Sequence, residues 1–360
     1  MGPALPTTGS IDDSLTTELA KELSPARRNL RTAELGMRHP QSMHTLDALA
    51  WRNQLVLTRE IQIAGDRTLF FERVRRGEFV ALVRGVYMDA AVFESLRPID
   101  QHRMRALAVV AYADRDTVLS HNSAAALWRL PWVGPVPRRV HVLVDYAPGG
   151  RSSKVVARHT VGIPVATERI DGVAVTSLVR TVVDLACTSA FDQAVVVADA
   201  ALRRTQHPID GVPATSVAHW DLLNELDRIP VQHGTARARR ALKFASGLAD
   251  RPGESVSRVN MELAGFRAPE LQVELRGASG RTWFVDFWWP SFNVIGEFDG
   301  QAKYTDPEFL RGRTPEQALH DEKEREDDLR AAGHGMSRWP WEVGNSVQRL
   351  RAHLLAAGIR

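Results

Sequence analysis

Two β-rich runs near the C-terminus, RTWFVDFWW and NVIGEFDG, are separated by Pro290, Ser291 and Phe292, and both carry acids inside otherwise apolar strands. Proline ends the first run, so the pair reads as a hairpin with a loop from Pro290 to Asn293. Trp289 then pairs with Val294, and counting back sets Asp286 opposite Glu297. One face carries Trp283, Val285, Phe287, Val294 and Phe298, with Gly296 leaving room opposite Phe287. The other carries Asp286, Glu297 and Asp299, walled by Phe284, Trp288 and Ile295. At about 5 Å and an effective dielectric near 20, two like charges repel by about 3 kcal/mol. Either a proton or a cation must therefore accompany the pair.

Hard oxygen donors without a nearby cysteine suit Mg²⁺ or Mn²⁺, with Asp286, Glu297 and Asp299 as ligands. Such an ion can activate water and stabilise a phosphodiester transition state. Lys303, beyond the Gly300 turn, is placed to assist the attacking water or that transition state. The bland alternative is a solvent-facing acidic edge with Lys303 as a simple salt-bridge partner.

The rest of the chain is long enough for several cores. At 360 residues, 44% hydrophobic and 25% charged, it is expected to be a multidomain α/β protein. The formal charge is only +3, but basic residues gather in VRRG (Val74 to Gly77) and RARRALK (Arg237 to Lys243), as nucleic-acid contacts or as solvated helix faces. The single cysteine, Cys187, lies in an apolar helical run and excludes disulfides and a multi-cysteine zinc site. No apolar stretch reaches the about 18 residues of a membrane span, and no signal-peptide core is present, so a cytoplasmic protein with no membrane partner is expected.

Residues 1–41 mix Pro, Thr, Ser, Arg and Gly without periodicity and read as a disordered tail. A winged helix-turn-helix is expected over 42–95. Its first helix begins at Ser42; its second is LTREIQIAG, with Thr58 as N-cap and Gly65 as stop. Asp66 caps the third, DRTLFFERVRRG, which turns Phe70 and Val74 inward and leaves Arg73, Arg75 and Arg76 in water. EFVALVRGVYM is the wing, a hairpin with Arg84 at its tip. This geometry points the third helix and Arg84 at DNA; a protein-docking module is the alternative.

Residues 96–175 read as a mixed α+β domain, with a helix at QHRMRALAVVAYA, a strand at RRVHVLVDY and an Asp171-Gly172 turn between strands. In HNSAAALWRL no acid stands close enough in sequence to complete a nucleophilic triad, so His121, Asn122 and Ser123 are expected to serve in capping. A helical connector over 176–250 ends in the linker LADRPG, and a new domain follows over 251–360. It opens with GESVSRVNMELAGF, where Val256, Val259 and Leu263 form an apolar stripe and Glu254 lies off it, locally a first-turn acid favoured by the helix dipole.

The runs GESVSRVNMELAGFRAPELQ, VDFWWPSFNVIGEFDGQAKY and EKEREDDLRAAGHGMSRW, spanning about 253–340, together resemble actinobacterial proteins with a very-short-patch-repair-like domain of the PD-(D/E)xK nuclease superfamily. The resemblance implies a restriction-endonuclease-like fold, Asp286 as the motif aspartate, Glu297 as the second metal ligand and Glu254 as the helix acid completing the site. The lysine of that pattern is expected at Asp299, which is an acid here, leaving Lys303 as its substitute. The N-terminal half, through RVRRGEFVALVRGVYM, SHNSAAALWRLP and IDGVAVTSLVRTVVDLA, is similar to AbiEi-type antitoxins of type IV toxin-antitoxin systems, which implies DNA and a cognate toxin as partners.

EQALHDEKEREDDLRAAG reads as a charged helix with Leu319 and Leu329 inward, and GMSRW as a returning strand. Lys323, Arg325 and Arg338 are expected to approach phosphates, with a self-paired helix face as the equal reading for the first two. The expectation is thus a DNA-binding protein with a Mg²⁺- or Mn²⁺-dependent endonuclease-like domain. The alternative is a non-catalytic antitoxin or repressor built on the same scaffold.

Overall fold

The computed structural model describes residues 50–113, 117–144, 152–160, 164–230, 233–300 and 314–360. The chain divides into two compact units, Met1–Asp116 and Thr117–Arg360. Among the described residues no helix is long and apolar enough to cross a membrane. The expected tail and residues 42–49 of the helix expected from Ser42 lie outside the described residues, as does Lys303; the end of that helix, Ala50–Gln54, is a 3₁₀ turn.

In the first unit, α1 (Ala64–Arg75), α2 (Ala90–Ser95) and α3 (Pro98–Tyr112) accompany three short strands, β1 (Val56–Leu57), β2 (Phe79–Val83) and β3 (Val86–Asp89). The sheet order is β1-β3-β2, antiparallel throughout. A β2–β3 hairpin forms at the run expected to be a wing, with Gly85 at φ +77° in its turn and Arg84 exposed. Phe70 is wholly buried, with ring centroids 5.1 Å from Phe79 and 5.2 Å from Tyr87.

Three expectations fail here. The second helix is replaced by strand β1 and one 3₁₀ turn (Thr58–Glu60), because the apolar pair Val56 and Leu57 is worth more as a third strand, buried against Tyr87 and Val86. Thr58 is no cap; its hydroxyl donates to the Gly85 carbonyl, and Gly65 lies inside α1. Nor does Asp66 cap α1, whose N-cap is Ile63, with no side-chain hydrogen bond. The unit also runs past residue 95, since α3 packs on β2 and β3 and Arg59 donates to the carbonyls of Ala111 (2.8 Å) and Tyr112 (3.2 Å).

The second unit holds two sheets. In the first, β4 (Val118–Leu119), β5 (Val140–Leu143), β6 (Val156–His159), β7 (Thr167–Ile170) and β8 (Val173–Thr176) stand in the order β6-β5-β4-β8-β7. The β7–β8 turn falls at Asp171 and Gly172, both with positive φ as a two-residue hairpin needs. Around it lie α4 (His121–Leu127), α5 (Leu178–Thr188), α6 (Phe191–Arg203), α7 (His219–Arg228) and α8 (Thr235–Phe244). Cys187 is buried in α5. The HNS segment does not cap: Ser120 is the N-cap of α4, its side chain making no capping hydrogen bond, and Ser123 instead accepts the His141 N–H at 2.9 Å.

The second sheet contains β9 (Glu270–Arg276), β10 (Thr282–Trp289), β11 (Val294–Asp299) and β12 (Gly335–Pro340), ordered β12-β11-β10-β9. It is flanked by α9 (Pro252–Leu263), α10 (Pro315–Ala331), α11 (Trp341–Gly344) and α12 (Val347–Ala356). The hairpin register is the expected one from Trp289 opposite Val294 to Phe287 opposite Gly296, but the pairing ends there and does not extend to the expected Asp286–Glu297 pair; β12 returns parallel to β11. A Cβ on Gly296 would meet Trp289 and Trp339 at 2.7 Å, so this position admits no side chain.

The faces sort less cleanly than strict alternation requires. Phe287, Trp289, Val294, Phe298 and Trp339 share a core with Met261 of α9 and Leu350 and Leu354 of α12. Val285, with Trp283 beside it, packs instead with Ile295 and Leu329 of α10. The change of side falls at Asp286, where the facing residue Gln272 takes φ +49° and interrupts the period-two pattern. Leu263 and Leu319, expected inward, are 54% and 57% exposed, since each lies near a helix end beyond the packed turns.

Residue 253 does not begin an independent domain. Asp199 of α6 is buried and accepts from Ser255 Oγ (2.7 Å) and Arg258 Nη1 (2.8 Å) of α9 and from the Ser246 N–H (2.6 Å). The apparent linker LADRPG therefore crosses a polar core contact within one unit.

Candidate functional site

Pro252 at the first turn of α9 places Glu254 at the helix N-terminus, where it is buried rather than wet. Its Oε2 accepts the Asp250 N–H at 2.8 Å and faces Gln272 Nε2 at 3.4 Å. The same Gln272 nitrogen is 3.4 Å from Asp286 Oδ1, so the amide of β9 bridges two carboxyls. Burial first, and the Asp286 charge second, push the Glu254 carboxyl up to about 8. Glu254 therefore keeps its proton at neutral pH.

Asp286 Oδ2 accepts the N–H of Phe298 at 3.0 Å, the backbone position between Glu297 and Asp299. Glu297 is 1% exposed, and its Oε2 accepts from Arg325 Nη2 at 2.5 Å and Arg338 Nη2 at 3.0 Å. Arg325 also donates to the Phe284 carbonyl at 2.9 Å, and Arg338 pairs with Glu322 at 2.9 Å. Lys323 stands exposed on α10. The cation that the hairpin's acid pair requires is thus supplied by two guanidiniums on Glu297, while the proton sits on Glu254, a third acid outside that pair.

Two oxygens stay unanswered. Glu297 Oε1 and Asp299 Oδ1 are buried and accept no hydrogen bond among the described residues. They belong to alternate residues of β11, which project to one side of the strand. Burying anionic oxygens without a partner costs several kcal/mol, and a divalent cation supplies what they lack. Their hard carboxylate chemistry fits Mg²⁺ or Mn²⁺.

In the first unit the arginines divide. Arg73 Nε donates to Glu78 at 2.6 Å and its guanidinium lies 5.0 Å from the Phe79 ring, while Arg76 Nε donates to Glu78 at 2.7 Å. Hydrogen bonds from both arginines pull the Glu78 carboxyl below its usual range. Arg73 is thus a structural side chain rather than a wet one. Arg75, 74% exposed and 3.9 Å from Glu72, and Arg84 at the hairpin tip remain accessible.

No family model matches the chain. It is similar to two uncharacterized proteins of Mycobacterium tuberculosis, one from strain CDC 1551 / Oshkosh and one from strain ATCC 25618 / H37Rv. Each is 29% identical over 249 residues, covering 67% of this chain and 82% of the relative. Neither name carries an activity.

The sequence singled out Glu254, Asp286, Glu297 and Asp299 as a candidate site, with Arg325 and Arg338 expected near it. It gave those arginines to phosphates, whereas they also neutralise Glu297. It missed Gln272, because a glutamine in ELQVELR carries no signal of its own until β9 is paired with β10.

Proposed function

We propose that the chain is a nucleic-acid-binding protein whose C-terminal sheet hydrolyses phosphodiesters with Mg²⁺ or Mn²⁺. The observation that carries this reading is the pair of buried, unpartnered carboxylate oxygens on β11, Glu297 Oε1 and Asp299 Oδ1, beside Asp286. Glu297 and Asp299 would hold the cation, and Asp286 would have to move toward it to join them, since the three carboxylates do not bring one oxygen each within 4.8 Å of the others; once bound it would supply water activation and charge stabilisation. Gln272 fixes Asp286 against Glu254, and protonated Glu254 spares the site a further negative charge. Arg325 and Arg338 hold the Glu297 carboxylate by Oε2 and leave Oε1 for a ligand, and Arg325, Arg338 and Lys323 would bring positive charge to a phosphate. Lys303 is assigned the assisting role at the attacking water. The expected result is Mn²⁺-dependent cleavage of plasmid or oligonucleotide DNA, lowered by at least about 100-fold in Asp286→Asn. Metal-independent cleavage, or cleavage unchanged in that variant, overturns the proposal.

One observation favours a second reading. Both guanidiniums already sit on Glu297 Oε2, and an acid stands where the nuclease pattern has lysine, as in a scaffold that has given up catalysis. That reading is a cytoplasmic antitoxin or repressor of winged-helix type, with a toxin as partner. It predicts promoter binding without cleavage at any divalent cation concentration.

Both readings assign the DNA contact of the first unit to Arg75 and Arg84 rather than to Arg73. Replacing both by alanine is expected to lower the slope of log affinity against log salt by about 2, one phosphate each, at unchanged stability. Arg73→Ala instead lowers the melting temperature, since it uncovers Glu78 and Phe79. Equal salt slopes in the parent and the double variant would remove the first unit from the DNA interface.

A further inference from the structure

Three histidines of the five-stranded sheet meet at a place the carboxylate chemistry does not use. His121 opens α4, His141 lies in β5 and His159 ends β6. The parallel register sets His141 beside Ala157 and His159 beside Leu143, which puts both rings on one face of the sheet, two residues apart. His159 Nε2 is 3.0 Å from His141 Nδ1, and the His121 ring stacks on His159 with centroids 3.9 Å apart. One ring nitrogen from each of the three lies within 4.8 Å of the others, the one such group of metal-ligating side chains among the described residues.

A second observation points to the same spot. Asp184 of α5 has only 3% of its side-chain surface exposed, and its Oδ1 accepts Arg180 Nε at 2.8 Å. Its Oδ2 is buried, accepts no hydrogen bond among the described residues and lies 3.8 Å from His121 Nδ1, which also faces Ser120 Oγ at 3.1 Å. Nδ1 of His121 is thus turned toward the carboxylate and the hydroxyl, leaving Nε2 for a ligand. A carboxylate that takes one imidazole N–H fixes the tautomer and makes the other nitrogen the better donor; Asp184 at 3.8 Å stands just outside that bond, with Ser120 Oγ at 3.1 Å the nearer partner of Nδ1.

The backbone holds the ring there at some cost. His121 takes φ +47°, unusual for a residue other than glycine, and is clamped by the Ser120 N–H on the His141 carbonyl (3.0 Å) and the His141 N–H on Ser123 Oγ (2.9 Å). The charges facing the cluster are Asp184 and Arg180 from α5, Arg139 just before β5, and Glu225 of α7, which is 3.5 Å from Arg180. Burial, then the other two histidines and Arg180, hold His121 well below its usual range; burial and Arg139 lower His159.

We infer that His121, His141 and His159 form a zinc site, with Asp184 as the positioning carboxylate behind His121. Tetrahedral Zn²⁺ at about 2.0–2.1 Å from each nitrogen needs neighbouring donors about 3.4 Å apart, between the 3.0 Å of His141 and His159 and the 4.8 Å limit of the set. Borderline imidazole donors select Zn²⁺ over the hard cations proposed for the carboxylates, so the two sites are chemically distinct. Three protein ligands leave a fourth position for water or a substrate donor, and His141 and His159 are only half-buried, so that position can be reached.

The inference is independent of the phosphodiesterase reading and is tested in the full-length chain carrying Asp286→Ala, so that the carboxylate site does not contribute. The protein is stripped with a chelator, titrated with Zn²⁺ against a chromophoric competitor, and loaded with Co²⁺ as a spectroscopic probe. One equivalent per chain is expected, with the intense visible Co²⁺ bands of a four-coordinate site. Asp184→Asn is expected to weaken binding by about 10- to 100-fold. His159→Ala and His159→Gln are both expected to abolish the Co²⁺ bands while keeping the parent's circular dichroism. An absence of Zn²⁺ uptake overturns the site in favour of a hydrogen-bonded imidazole stack. Uptake that survives in both His159 variants overturns it as well, and belongs elsewhere among the 12 histidines.

Discussion

Asp199→Ala is expected to cost about 3–5 kcal/mol of folding free energy, because it strands a buried guanidinium rather than merely deleting a contact. Arg258 is buried, with Nη2 on the Phe244 carbonyl at 2.8 Å and the guanidinium 4.7 Å from the Phe244 ring, and Asp199 is its carboxylate partner. Burial raises the Asp199 carboxyl to about 6, with Arg258 opposing the shift, so the carboxylate is ionised at neutral pH. Asp199→Asn keeps acceptor oxygen for the Ser246 N–H or Ser255 but loses the charge, and falls between parent and alanine. Replacing both partners by apolar residues, Asp199→Leu with Arg258→Met, should recover much of the loss, since neither desolvated charge remains. Urea denaturation at pH 7 measures all four. Were residues 253–360 an independent domain, Asp199→Ala would leave their transition in place; a shift of the whole Thr117–Arg360 transition is the expected outcome.

That contact also shows why the domain boundary was illegible in the sequence. LADRPG has the proline, glycine and charge of a linker, and nothing local says that Asp199 lies against the helix that follows it. The hairpin was legible because its information is local. A proline stop, two strand-length runs and period-two spacing fix Trp289 opposite Val294. The failures are the places where tertiary contact overrides such signals. Val56 and Leu57 become a strand because Val86 and Tyr87 offer them an edge, and Trp283 and Val285 change sides because Gln272 turns left-handed across the sheet. At the candidate site the acids were legible as charges inside apolar strands, and their neutralisation was legible as a requirement. Which proton and which cations meet it was not, since Arg325 and Arg338 arrive from α10 and β12. The histidine cluster was invisible for the same reason: it joins α4, β5 and β6, and its carboxylate comes from α5, 63 positions after His121 by residue number.

Glu254 should make the protein less stable as pH rises, and Glu254→Gln should abolish that trend. The folded carboxyl titrates at about 8 and the unfolded one near its ordinary 4.5. Between these values the folded chain binds a proton that the unfolded chain has released, so stability falls as pH rises from about 4.5 and levels off above about 8. The penalty at the alkaline end is that of a buried carboxylate beside Asp286, a few kcal/mol in order of magnitude. Glutamine keeps the shape and an acceptor for the Asp250 N–H but cannot ionise. The variant is therefore expected to match the parent at pH 4.5 and to exceed its denaturation midpoint at pH 8.5, with the two curves diverging in between. A constant offset at every pH would mean that the carboxyl does not titrate across this window. The same proton links stability to the proposed cation. If Mn²⁺ binds beside Asp286, its charge favours the ionised form of Glu254, so binding at pH 7 releases protons and tightens as pH rises toward 8. Calorimetry in buffers of different ionisation enthalpy reads that release directly, and in Glu254→Gln it should vanish while cation binding persists.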